Sequence, residues 1–153
     1  DGHMLQPYHR ITHLLHAYAE HIDNGNFSQL GELFVYGSVI SGNSIAAGKG
    51  AVINMYKNAT RLYPDTGTPH TQHIVSNVSI DIDGDTSHAA AKSRFTVYQQ
   101  LDDFPLQAII AGCYEDSFQL IDAQWWFKER HIQPQLYGDL SRHLLFDPKE
   151  IQR

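Results

Sequence analysis

Near residue 70 the hydrophobic pattern of this chain switches from a helical period to a two-residue period. That switch restricts the chain to folds in which helices come first and a run of antiparallel strands follows. Downstream, Ile74, Val78, Ile80 and Ile82 alternate along one stretch. Asp83-Gly84 is a tight-hairpin signal. Residues 89–101 then return with Ala91, Phe95 and Val97 on one face and Lys92, Arg94, Thr96 and Tyr98 on the other. Asp102-Asp103-Phe104-Pro105 reads as the next turn, and residues 106–121 and 124–137 complete a meander. Strands this long exceed the usual length. They need strong twist or bulges, and a sheet so bent can wrap a cavity.

Upstream, residues 8–22 carry one buried stripe of Ile11, Leu14, Leu15, Tyr18, Ala19 and Ile22 at helical spacing. His9, His13, His16 and Glu20 line the opposite face. The segment stops at Asp23-Asn24-Gly25, a turn signal. A short second helix is expected over residues 28–34, a short strand over 35–41 broken by Gly42-Asn43-Ser44, and a third helix over 49–62. The layout is α+β, with three N-terminal helices covering one face of a curved, mostly antiparallel sheet. Residues 1–3 read as an expression remnant and residues 4–153 as a single domain.

Composition excludes several function classes. Of 153 residues, 42% are apolar and 18% charged, and the formal net charge is -6 with no basic run. Nucleic acid and anionic membrane surfaces recruit clustered Lys and Arg, so neither is an expected partner. No apolar run approaches membrane-spanning length and no signal peptide is visible, which leads to the expectation of a cytoplasmic protein. The single cysteine, Cys113, sits in an apolar run as a small hydrophobe. No phosphate loop, dinucleotide fingerprint or nucleophile elbow occurs, and no cofactor is expected. His9, His13 and His16 have a spacing that a metal could use, but the polar face of an amphipathic helix is the simpler account.

Several segments together, in order, resemble one family: YAEHIDNGNFSQLGELF at 18–34, HIVSNVSIDIDGDTSHA at 73–89, GCYEDSF at 112–118, WWFKERHI at 125–132 and GDLSRHL at 138–144. The chain resembles the SnoaL-like branch of the nuclear-transport-factor-2-like superfamily, and within it the scytalone-dehydratase-like enzymes. The resemblance implies a cone-shaped α+β barrel enclosing a pocket. It implies that His73 is the catalytic histidine and Asp23 its carboxylate partner, and that Tyr18 falls where bile-acid dehydratases carry a functional tyrosine. Tyr98 stands near the place of a second histidine of scytalone dehydratase, and Gly112 and Tyr114 replace a serine and an asparagine. Those departures argue against scytalone itself as substrate. The superfamily also contains isomerases, the small subunits of ring-hydroxylating dioxygenases and plain binding proteins, and fold alone does not choose among them.

The residues themselves carry a chemical argument. An imidazole titrates near neutral pH, and a carboxylate on its far nitrogen fixes its tautomer. A His73–Asp23 dyad could therefore remove a proton next to a carbonyl, giving dehydration or isomerisation of a hydrophobic, cyclic small molecule. Against this, His73 has the opposite strand parity to Ile74, Val78 and Ile80, which would turn it to solvent. A bulge, or a pocket lined by the face that carries Asn77, would reverse that. Asp23 reads equally as a helix-end residue in a turn, and Tyr18 as a core tyrosine. Tyr98, Tyr114, Trp126 and Asn77 are candidate ligand contacts, although aromatic strand residues are usually core. Glu129 and Arg130 could pair structurally. The competing readings are a non-catalytic subunit with a protein partner and a binding protein without chemistry. A homodimer or higher homo-oligomer is expected by analogy.

Overall fold

The long strands of the second half form one sheet that the N-terminal helices close from one side. The structure, a computed structural model, describes residues 2–85 and 87–151, with the side chains of 6–85 and 87–149. Helices α1 (Gly2–Asp23), α2 (Phe27–Glu32) and α3 (Lys49–Ala59) precede strands β3 (Thr71–Ile82), β4 (His88–Leu101), β5 (Phe104–Ile121) and β6 (Gln124–Tyr137). A hairpin of β1 (Ser38–Ser41) and β2 (Ser44–Ala47) lies between α2 and α3, and a single turn, α4 (Pro148–Ile151), ends the described chain. The sheet order is β2-β1-β6-β5-β4-β3. Every neighbouring pair is antiparallel except β1 with β6. This is an α+β fold with a curved six-stranded sheet. Of the residues read as an expression remnant, residue 1 lies outside the described residues.

Two element expectations need correction. The expected break at Gly42-Asn43-Ser44 is a hairpin turn instead: Gly42 adopts φ +60°, and a second strand follows at once. The third helix ends at Ala59 rather than Leu62. Thr60 turns extended, and the C-terminal segment captures the freed backbone through Arg61 N–H to the His143 carbonyl at 2.8 Å and Leu145 N–H to the Ala59 carbonyl at 2.9 Å.

One core fills the concave side of the sheet. The α1 stripe of Ile11, Leu15, Tyr18 and Ile22 meets Phe34, Phe95, Tyr114, Phe118 and Phe127 there. Phe34 and Phe127 stack at 4.8 Å, and Phe95 and Tyr114 at 4.5 Å. The alternation along β4 is complete from Ala89 to Gln99, with every second residue buried.

β3 behaves differently, and the difference positions the site. Its register with β4 shifts between Ser76 and Ser79, and Asn77 adopts φ +52°. Such an extra residue reverses which side chains face inward on either side of it. Before the bulge, Ile74 is 41% exposed while the His73 side chain is only 8% exposed. After it, Ile80 and Ile82 pack against the core.

Candidate functional site

The first helix delivers a carboxylate to the start of β3. Gly25, at φ +70°, lets the chain close α1, with Gly25 N–H on the Ile22 carbonyl at 3.0 Å and Asn26 N–H on the His21 carbonyl at 2.8 Å. Asp23 is thereby held as the last helical residue. A carboxylate at a helix C-terminus faces the negative end of the dipole, so it needs donors from elsewhere. β3 supplies them. Thr71 Oγ1 donates to Asp23 Oδ1 at 2.8 Å, and the backbone N–H of His73 donates to Oδ2 at 2.7 Å. The His73 imidazole meets Oδ1 through Nδ1 at 2.6 Å.

Both side chains are largely removed from water, with 8% of His73 and 17% of Asp23 exposed. Because a carboxylate can only accept, Nδ1 carries a proton, and in the neutral form of the ring Nε2 keeps its lone pair. Among the described residues no hydrogen bond engages Nε2.

A second polar group lies deeper in the core. Arg130 and Asp116 face each other across β5 and β6 and form a fork: Nε to Oδ1 at 2.8 Å and Nη2 to Oδ2 at 2.9 Å. Neither side chain is exposed. The guanidinium carbon lies 3.7 Å from the Tyr114 ring centroid and 4.2 Å from that of Tyr18. Burial opposes the charge on Arg130, but the Asp116 carboxylate more than offsets it, so the guanidinium is held protonated. Its Nη1 has no partner among the described residues. The Tyr18 and Tyr56 hydroxyls hydrogen-bond to each other. Burial raises the pKa of Tyr18 and raises Tyr56 and Tyr114 well above the ordinary phenol value, so all three stay protonated and can donate.

The expected residues thus separate. His73 and Asp23 meet, and Tyr18 and Tyr114 lie buried in the adjoining cluster. Tyr98 is 38% exposed, on the face of β4 that also carries Lys92 and Arg94. Asn77 is exposed at the bulge. Trp126 packs edge-on against Tyr36 at 5.1 Å, away from the dyad. The expected pairing of Glu129 with Arg130 is replaced by Asp116, because adjacent strand residues point to opposite faces. Tyr56, Thr71, Asp116 and His143 are the polar members that sequence reading passes over. Strand parity could have found Asp116, which shares the inner face with Tyr114 and Phe118.

His9, His13 and His16 are exposed on α1. Asp83, Asp85 and His88 gather, exposed, at the β3–β4 hairpin, an arrangement common without any ion. No described helix is long and apolar enough to cross a membrane.

Solved structures similar to this one share its fold. A nuclear-transport-factor-2-like protein with a cystatin-like fold from Novosphingobium aromaticivorans superposes with a TM-score of 0.72 at 17% identity, over 85% of this chain and 82% of that one. A candidate scytalone dehydratase from the same organism gives 0.69 at 24% identity, over 88% of each chain. LinA gives 0.71 at 14% identity, over 95% of this chain and 97% of its own. No curated protein matches by sequence. Residues 4–131 match the SnoaL-like domain, and the chain belongs to that family.

Proposed function

We propose that this protein is a small enzyme that moves a proton on a cyclic small molecule, with His73 as base and Asp23 as its orienting carboxylate. The observation that carries this reading is the 2.6 Å bond from His73 Nδ1 to Asp23, with the same carboxylate also held by the His73 backbone N–H. Two bonds from one carboxylate fix both the backbone and the ring. Nε2 is left as the basic atom, which can take a proton from carbon next to a carbonyl. If a β-hydroxyl then departs, the outcome is dehydration; if the proton returns elsewhere, it is isomerisation.

Tyr18, Tyr114 and Arg130 Nη1 offer donors to an oxygen on the same ligand. This changes the expected ligand from a simply hydrophobic molecule to an apolar ring bearing oxygens. The likeness to a candidate scytalone dehydratase favours the dehydration branch.

The test uses 2-tetralone in D2O, following α-proton exchange by NMR, together with a panel of β-hydroxy cyclic ketones followed by enone absorbance. His73→Ala should abolish both signals while circular dichroism stays native. Exchange at the wild-type rate in that variant would refute the assignment.

A second reading rests on the exterior. Leu106 and Leu136 are 66% and 69% exposed. We propose that these leucines belong to a surface covered by a second copy of this chain. Sedimentation of a monomer at all accessible concentrations would refute it.

A further inference from the structure

The C-terminal segment after β6 runs back across the start of β3 and the end of β4 and is tied down along its length. Arg142 pairs with Asp103 at 2.8 Å, Tyr63 donates its hydroxyl to the Arg142 carbonyl, and Leu144 bridges to Thr60. Gln99 anchors it from the sheet: its Nε2 donates to the Pro69 and Arg142 carbonyls, both at 3.0 Å. Gln99 is the cross-strand partner of Thr71, the residue whose hydroxyl holds Asp23. His143 therefore arrives one residue beyond an anchor that is itself one strand from the dyad.

Its position is unusual for a histidine. The residue is 7% exposed, and its Nδ1 has no hydrogen-bond partner among the described residues. A buried ring nitrogen without a partner carries a desolvation cost that a bound ligand would relieve. Through Gln99 and Thr71 the segment brings the ring to the end of the sheet that holds the dyad. Burial, aided by His73 and opposed by Asp23, pushes its pKa down to about 4, and the ring is neutral at neutral pH. A neutral imidazole is a hydrogen-bond donor as well as an acceptor.

We propose that His143 is the second ring of the site: its Nδ1–H holds the carbonyl oxygen of the ligand while His73 moves the proton. The proposal rests on the proton-transfer reading above. The step balances without any co-reactant. His73 Nε2 takes the α-proton, the C–H electron pair becomes the C=C bond of an enolate, and the carbonyl π pair moves onto oxygen. His143 donates its hydrogen bond to that oxygen where the negative charge collects. The proton then returns from His73 to carbon, or passes from His73 to a β-hydroxyl that leaves as water while the enolate pair forms the enone C=C bond and the carbonyl re-forms.

Two probes test this. 4-Nitrophenol mimics the enolate oxygen and reports its ionisation by absorbance; 2-tetralone reports α-proton exchange. Wild-type protein should bind 4-nitrophenol as the phenolate. His143→Phe, which keeps a ring under the strap but has no donor, should slow exchange by about a hundredfold and weaken nitrophenolate by at least about tenfold. His143→Asn places an amide nitrogen near the position of Nδ1 and should recover a large part of both. Wild-type behaviour of His143→Phe in both assays overturns the proposal. So does an equal loss in the Phe and Asn variants, which marks a purely structural residue, and so does failure of the wild type to bind 4-nitrophenol. The underlying reading fails differently: His73→Ala would then exchange 2-tetralone at the wild-type rate, leaving the nitrophenol comparison intact.

Discussion

Asp23→Asn is the substitution whose result the structure determines most sharply. Both carboxylate oxygens accept: Oδ1 from Thr71 and from His73 Nδ1, Oδ2 from the His73 backbone N–H. An amide has one oxygen and one NH2, so it must choose. With its oxygen at the Oδ1 position, the NH2 faces a backbone donor at 2.7 Å and both are unsatisfied. With its oxygen at the Oδ2 position, the NH2 meets His73 Nδ1 and the Thr71 hydroxyl. The hydroxyl can rotate to accept, and the imidazole can accept if its proton moves to Nε2. The second arrangement satisfies every group, so it wins. The cost to stability is then only the exchange of charge-assisted for neutral hydrogen bonds, about 1–2 kcal/mol.

The cost to catalysis is far larger. The basic nitrogen now points at the introduced amide rather than the ligand. The imidazolium formed during proton transfer also loses its counter-charge. For a carboxylate and an imidazolium about 4 Å apart between charge centres, at the effective dielectric of a partly buried pair, that interaction is about 4 kcal/mol. Loss of it alone lowers the rate by roughly three decades. Proton exchange on 2-tetralone measures the rate, urea unfolding the stability, and 15N NMR of the imidazole the tautomer. Exchange within about threefold of wild type, or a His73 ring still protonated on Nδ1, would refute the reasoning.

Other outcomes follow from the same contacts. Arg130→Met alone strands the Asp116 carboxylate in the core and should cost about 3–5 kcal/mol in urea unfolding, whereas pairing it with Asp116→Leu should recover most of the loss. The folded pKa of His143, about 4, lies below its ordinary 6.5, so the unfolded chain binds the extra proton first as pH falls. Its share of stability, about 3 kcal/mol, is complete above the unfolded value and disappears between there and about 4; His143→Phe should flatten the pH dependence of unfolding across that window. Tyr98→Ala, on the exposed side of β4, should leave proton exchange within about twofold of wild type.

The order of elements was readable because it depends on period and turn chemistry, which are local. The switch near residue 70 and the Asp83-Gly84 hairpin placed four strands whose boundaries differ little from the observed ones. The site was half readable. His73 and Asp23 are far apart in sequence, and no local rule brings a helix end to a strand start; only the family resemblance paired them. Strand parity misled because it assumes an unbroken ladder, and the bulge at Asn77 breaks it. Parity applied to β5 and β6 would have joined Tyr114, Asp116 and Arg130. His143 lies inside the GDLSRHL segment that carries the resemblance, but nothing local marked it as buried, since its burial comes from a strap whose path is set by Gln99, Thr60 and Asp103.

The extra residue in β3 makes that strand two half-ladders running out of phase. One half presents Thr71, His73 and Val75 to the interior, the other Ile80 and Ile82. Removing a single residue there would bring the halves into phase, and then either the reactive ring or the aliphatic anchors would have to face water. Chemistry and cohesion in this strand are thus separable only at Asn77 and Val78. Loop grafts or strand transplants among related barrels must carry that pair with them to keep an inward-facing histidine.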